Sequence, residues 1–394
     1  MKKLAIITTH PIQYYAPVFK LLSERQRVAI KVFYTLGQQA TDLPDKGFKQ
    51  NISWDLPLLD GYEFEWLKNT ANSPGSHHFK GIVNPDGISR IRQYQPDALL
   101  VFGWAYYGHL KIIHHFSNKV PVYFRGDSTM LLKSGILKQM LRTVFLKWVY
   151  RHIDHAFYVG MNNKHYFEEY GLTGRHLSFA PHAVDNERFA ADRTPEAGEL
   201  RSSLGLNSHD ILVLYAGKFE PVKNLPLLLS AFSILDRRNV HLLLAGSGSS
   251  EEELRTAAAG RGNIHFTGFK NQSYMPVLYQ AADLFCLSSK SETWGLSVNE
   301  AMACGKAILT SDQVGCAADL VNSKRNGAVF ESENVNSLVE KLKQMTENRD
   351  LLVTFGQQSS SIIKSWNFDE IAQAIENKLL CEDSSGDRGN STHL

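Results

Sequence analysis

Short apolar runs rich in Val, Ile, Leu and Phe recur along the chain, each separated from the next by a longer amphipathic stretch. A strand that is apolar on both faces has to be covered on both. The covering segments must also be long enough to cross over, so this alternation predicts parallel sheets flanked by helices. One series of strands is expected at 4–9, 28–35, 98–103, 120–126, 156–160 and 177–184, and a second at 211–217, 240–248, 264–269, 283–289, 307–312 and 328–331. The chain has 394 residues, and single cores stop growing near roughly 250–300. Each series is therefore assigned its own doubly wound α/β sheet.

The segment ADRTPEAGELRSSLGLNSHD is polar, carries Pro195 and Gly198, and has the composition of a linker. It divides the chain into domains over 1–195 and 196–365. In FDEIAQAIENKLL, Ile371, Ile375 and Leu379 share one face. A helix over 366–380 must bury that face, and its expected place is back against the first domain. Residues 382–394 hold no large apolar residue except Leu394 and read as a disordered tail.

Net charge is +2, far from the basic excess of a protein that neutralises many phosphates, so no nucleic-acid partner is expected. The four cysteines form no CxxC pair, which fits a reducing compartment. The first apolar run stops after Ile7, too short for a signal peptide, and nothing approaches the ~20 apolar residues of a membrane span. The expectation is a cytoplasmic protein, at most peripheral on the inner face of a membrane.

In an open parallel sheet, ligands bind beyond the carboxyl ends of the strands, where helix N-termini point free N–H groups outward. After the strand ending at Gly217 come Lys218 and Lys223, with Pro221 bending the loop between them. Two cations there suit an anion, although two solvated surface lysines would read the same way. Gly246 and Gly248 follow the next strand, and a tight turn is their plainer reading. The segment KSETWGLSVNEAMACGKAILTSD is more informative. It sets Glu292 and Glu300 eight apart around Gly295, with a helix expected from Leu296. The amides of Trp294, Gly295 and Leu296 would then lie at a helix start, where the dipole favours a diphosphate or a sugar oxygen. Glu300 is an acceptor-only carboxylate suited to a ribose diol. A glutamate near a helix N-terminus is favourable in any protein, so the weight rests on the whole string with its small residues Ala301, Ala303 and Gly305.

With GKFEPVKN, ETWGLSVNE and EAMACGKAILTSD in that order, residues 211–330 resemble the donor half of the retaining glycosyltransferases of family 4. The resemblance implies the GT-B architecture, two Rossmann-like domains facing each other across a cleft. It implies a nucleotide-sugar donor, most often a UDP-sugar, and a glycan or lipid-linked acceptor in cell-envelope or exopolysaccharide assembly. Gly217, Lys218 and Lys223 would meet the diphosphate, Glu300 the ribose, and Phe269 the base. Glu292 and the amides of Trp294, Gly295 and Leu296 would meet the sugar. Lys218, Lys223 and Glu292 would carry the chemistry, the anomeric configuration being kept.

Two departures stand out. Lys218 replaces the family's usual arginine and gives a point charge without a bidentate fork. Arg125 in VYFRGDS stands where a histidine often follows the fourth strand. The first half resembles the family's acceptor domain more loosely. His10 and Gln13 take the place of glycines, unless His10 merely caps a helix begun by Pro11. Arg125 and Asp127 end a central strand, and His182 replaces an asparagine near the crossover. No D-x-D occurs and no His, Cys, Asp or Glu cluster has metal-ligand spacing, so neither metal nor cofactor is expected. The stretch 131–153 is basic and apolar. Its cations split into two flanks, Lys138 with Arg142 and Lys133 with Lys147 and Arg151, which fits a half-buried helix with snorkelling cations as well as a membrane contact. A silent sugar-nucleotide-binding subunit, an epimerase and a phosphorylase are the alternatives on the same fold.

Overall fold

The computed structural model describes residues 1–38, 54–131 and 135–381. The tail 382–394 and Lys133 lie outside the described residues. Two all-parallel sheets account for the strands. The first runs β3-β2-β1-β4-β5-β6-β7, built from β1 (Lys3–Thr8), β2 (Ala29–Tyr34), β3 (Phe64–Trp66), β4 (Ala98–Phe102), β5 (Val122–Arg125), β6 (His155–Tyr158) and β7 (Leu177–Phe179). The second runs β10-β9-β8-β11-β12-β13, built from β8 (Ile211–Ala216), β9 (Val240–Ala245), β10 (Ile264–Gly268), β11 (Leu284–Leu287), β12 (Ala307–Ser311) and β13 (Gly327–Phe330). Strand order reverses beside β1 in one sheet and beside β8 in the other. These are the places where crevices open in doubly wound sheets.

Strands buried on both faces stand where their apolar runs put them; β4 and β8 are buried at every position. β3 was not anticipated. It is a three-residue edge strand with only half-buried residues, and Phe64, Glu65 and Trp66 carry no run long enough to mark it. The linker reading of ADRTPEAGELRSSLGLNSHD also needs correction, because Thr194–Ser203 is a helix with Pro195 in its first turn, where proline costs nothing. Arg201 fastens this helix to the second domain. Its guanidinium donates to the carbonyls of Ala281 at 2.8 Å and Asp210 at 2.6 Å and pairs with Asp283 at 2.9 Å. Polar composition conceals a helix that packs Ala197 and Leu200 on the second domain's core and is fastened there by an arginine.

The chain crosses between domains twice. After the helix Arg349–Ile363, which packs on β12, the helix Phe368–Cys381 returns to the first domain. There it buries Ile371, Ala372, Ile375 and Leu379 against Phe19, Leu22 and the strands of the first sheet. Glu376 on this helix is fully buried and accepts from Arg25 at 3.2 Å and Arg27 at 2.8 Å. A carboxylate taken wholly out of water needs both partners. Replacing Glu376 with Ala leaves Arg27 without this acceptor, leaves Arg25 with Asp369 alone, and opens a hole behind them. The expected cost is about 1–3 kcal/mol in urea denaturation; an unchanged midpoint would contradict this role.

Candidate functional site

The carboxyl ends of β1, β5, β8, β9, β10 and β11 converge on one cleft between the domains, with a volume of about 450 Å³. Its floor is backbone. Gly217 leaves β8 at φ +151°, and a Cβ on Gly246 would lie 1.9 Å from the Gly217 carbonyl oxygen, so the two strand ends meet only because Gly246 is glycine. Beyond Gly217, the Tyr215 hydroxyl donates to the carbonyl of Lys218 at 2.7 Å and fixes the loop's course. A 3-10 turn at Pro221–Lys223 follows, and the Ser288 hydroxyl holds the Lys223 carbonyl at 2.9 Å. That geometry delivers Lys223 to the cleft, where its ammonium pairs with Glu292.

Gly295 has φ +98° and starts the helix Leu296–Ala303. The left-handed turn lets the chain pass from the Glu292 loop straight into the helix, whose first residues, Leu296 and Ser297, line the cleft. Glu300 lies one turn along that helix and is 3% exposed. Its two oxygens are held by two phenols: Tyr14 donates to Oε1 at 2.9 Å and Tyr279 to Oε2 at 2.7 Å. Burial pushes the Glu300 carboxyl above its ordinary range, and the tyrosine hydrogen bonds only partly oppose it.

All nine expected donor positions line this cleft: Gly217, Lys218, Lys223, Phe269, Glu292, Trp294, Gly295, Leu296 and Glu300. Trp294 does so with its indole buried elsewhere, donating to the Asn299 side chain at 2.9 Å and stacking on Trp366 at 5.2 Å between ring centroids. Of the five first-domain positions, His10, Gln13 and Asp127 reach the cleft and Arg125 and His182 do not. His10 is no helix cap, because the helix starts only at Ala16 and the His10 ring meets Thr9 at 2.9 Å. Arg125 is buried and donates to the carbonyls of Ala180 and Pro181, both at 2.7 Å, tying β5 to the crossover segment. His182 is buried beneath the cleft, its Nε2 3.8 Å from Asp127. Burial alone would raise the Asp127 carboxyl, but the nearby His182 ring and the Thr293 hydroxyl, 2.8 Å away, outweigh it and hold it well below the usual range.

Sequence reasoning missed Tyr14, Tyr279 and Trp54, all of which line the cleft. It also missed Asp55, which reaches across to accept from the amide of Ser273 at 3.2 Å. The HPIQYY string contained Tyr14, but nothing local marks which of two tyrosines turns toward the other domain. Among the described residues no group of three His, Cys, Asp or Glu could hold a metal ion.

This arrangement is that of the GT-B class, two parallel-sheet domains enclosing a cleft at their carboxyl ends. Residues 196–361 match the family described as glycosyl transferases group 1. Mannosylfructose-phosphate synthase of Agrobacterium fabrum is 31% identical over 151 residues, covering 35% of this chain and 33% of the relative. The chain spans 33% to 46% of the length of the first curated relatives it matches. Among solved structures, sucrose-phosphate synthase from Thermosynechococcus elongatus superposes with a TM-score of 0.74 at 16% identity, covering 98% of this chain and 100% of the other. Anabaena Alr3699/HepE in complex with UDP and glucose gives 0.69 at 17% identity, covering 96% and 100%. These last two likenesses concern fold alone.

The raised Glu300 carboxyl predicts a pH signature. A carboxyl with a folded pKa above its unfolded one binds its proton more tightly when folded. The stability from that proton is present at low pH and is lost as pH rises through the folded pKa. The burial penalty on the Glu300 carboxylate therefore makes the protein less stable at pH 7 than under acid conditions. Glu300→Gln should melt at or above the wild type at pH 7 in calorimetry, the gap closing on acidification through the folded pKa. A Gln variant markedly less stable at pH 7 would contradict this.

Proposed function

We propose that the chain is a retaining glycosyltransferase that moves a sugar from a nucleotide-sugar donor, a UDP-sugar first of all, to a hydroxyl of a glycan or lipid-linked acceptor. The observation that carries the reading is the convergence of Lys218, Lys223 and the start of helix Leu296–Ala303 beside a buried carboxylate, Glu300, in one interdomain cleft. A diphosphate meets the cations and the amides, and a ribose diol meets an acceptor that cannot donate. HepE, which shares this fold, was solved with UDP and glucose, and a UDP-sugar is therefore the first donor to try.

Chemically, the sugar–phosphate bond breaks as negative charge gathers on the diphosphate. Lys218, Lys223 and the helix amides stabilise that charge where it develops. The acceptor hydroxyl approaches the oxocarbenium-like carbon from the face the diphosphate is leaving and passes its proton to a phosphate oxygen, which keeps the anomeric configuration. These fixed charges supply what a metal would, so the reaction is read as metal-independent. Glu292 is already paired with Lys223, which suits contact with sugar hydroxyls and neutralisation of the lysine in the empty cleft better than attack as a covalent nucleophile.

Thermal stabilisation by UDP-, GDP-, ADP- and CDP-sugars tests the donor site. At ~100 times the dissociation constant a ligand adds roughly 2.7 kcal/mol. One nucleotide class should raise the melting temperature of the wild type and clearly less that of Glu300→Ala. If none of them stabilises the wild type, the donor-site reading fails.

Peripheral membrane contact belongs to the same proposal. The helix Ile136–Tyr150 buries Leu146, Val149 and Tyr150, yet turns Met140, Leu141 and Val144 outward at 63%, 67% and 72% exposure. Lys138 and Lys147 flank them. An apolar stripe between cations suits an anionic lipid surface, where a lipid-linked acceptor would reside. No helix among the described residues is long and apolar enough to cross a membrane. Val144→Glu should cut flotation with phosphatidylglycerol-containing vesicles by about tenfold, the loss of one buried valine being worth ~1.5 kcal/mol. Undiminished flotation of the variant would remove the helix from the contact.

A further inference from the structure

The second domain's core receives one aromatic ring from the loop that follows β1. Tyr14 packs against the cluster that contains Leu278, Tyr279 and Ala301, although its neighbours Tyr15 and Ala16 belong to the first domain's core. Its hydroxyl ends on Glu300 Oε1 at 2.9 Å. Tyr279, from the same domain as Glu300 and fully buried, holds Oε2 at 2.7 Å. Both oxygens of the carboxylate are thus engaged, one by its own domain and one by the facing domain, and almost none of the residue is left to solvent. Other hydrogen bonds among the described residues also reach across, among them Thr293 to Asp127 at 2.8 Å and the Ser273 amide to Asp55 at 3.2 Å. These two end on neighbours of the donor-facing groups. Tyr14 ends on the carboxylate itself.

We propose that Tyr14 competes with the ribose of the donor nucleotide for Glu300 and so restrains nucleotide affinity: the interdomain hydrogen bond must be surrendered before a ribose diol is gripped. The inference rests on the donor-site reading above. Physically, a hydrogen bond to a carboxylate is worth more than one between neutral groups. A ligand that brings two ribose hydroxyls recovers more than the single phenol it displaces, whereas a ligand without them recovers nothing and leaves Tyr14 in place. The phenol is held far above its ordinary pKa, first by burial and then by Glu300, so it remains a donor across the working pH range. Tyr14 thereby weakens binding of a ligand that carries the ribose diol and leaves that of a ligand lacking it unchanged.

The test is calorimetric titration of wild type, Tyr14→Phe and Tyr279→Phe with UDP, GDP, ADP and CDP and with the 2′,3′-dideoxy form of each. The expected result is that the nucleotide bound by the wild type binds Tyr14→Phe about tenfold more tightly, while its dideoxy form binds both proteins alike. Tyr279→Phe, which leaves the Tyr14 contact intact, gains no affinity. Weaker or unchanged binding by Tyr14→Phe overturns the competition. So does an equal gain for the ribose and dideoxy forms, which would report a looser cleft and nothing specific to ribose. A wild type that binds none of the four overturns the donor-site reading itself, a failure visible before any variant is compared.

Discussion

A carboxylate without water is the constraint around which the cleft is arranged. Glu300 sits inside the helix Leu296–Ala303, and a buried charge without hydrogen bonds would cost far more than a domain's margin of stability. Two phenols from two domains meet that demand, so the same contact that makes Glu300 tolerable also draws the domains together. The same matching of charge holds for Lys223, which is paired with Glu292. A ligand carrying a diphosphate and a diol answers both features at once.

The hinge region explains why some residues of suggestive chemistry stay out of the cleft. Trp294 occupies the space a Cβ on Gly160 would need, its nearest ring atom 2.3 Å from that position, and stacks on Trp366 where the chain crosses back. Asn299 donates to the carbonyl of His182 at 2.9 Å. Arg125 clasps Ala180 and Pro181 just before it. Arg125, His182 and the Trp294 indole thus hold the seam between the domains. Asp127, two residues beyond Arg125, is the group that the end of β5 actually presents to the cleft.

Much of this was legible from the chain alone, for identifiable reasons. Strands buried on both faces write themselves as continuous apolar runs, so all six strands of the second sheet lie where their runs stand. The donor-facing residues cluster because phosphate and ribose are met by consecutive turns after strands, and one string of 23 letters holds Glu292 through Glu300. What stayed hidden lacks local signature. Tyr14 and Glu300 are 286 positions apart, and Asp55 and Ser273 are 218 apart. β3 is too short to show a period. The helix Thr194–Ser203 looks like a linker because few apolar residues, Ala197 and Leu200 among them, secure it together with an arginine. Arg125 showed its charge but not its burial, since only the fold reveals the two carbonyls awaiting it.

The most direct measurement is a crystal structure of the chain with a nucleoside diphosphate bound. The account predicts ribose hydroxyls within hydrogen-bonding distance of Glu300, phosphates beside Lys218, Lys223 and the amides of Gly295 and Leu296, and the base beside Phe269. A nucleotide bound outside the interdomain cleft, or within it with its ribose away from Glu300, would contradict the account.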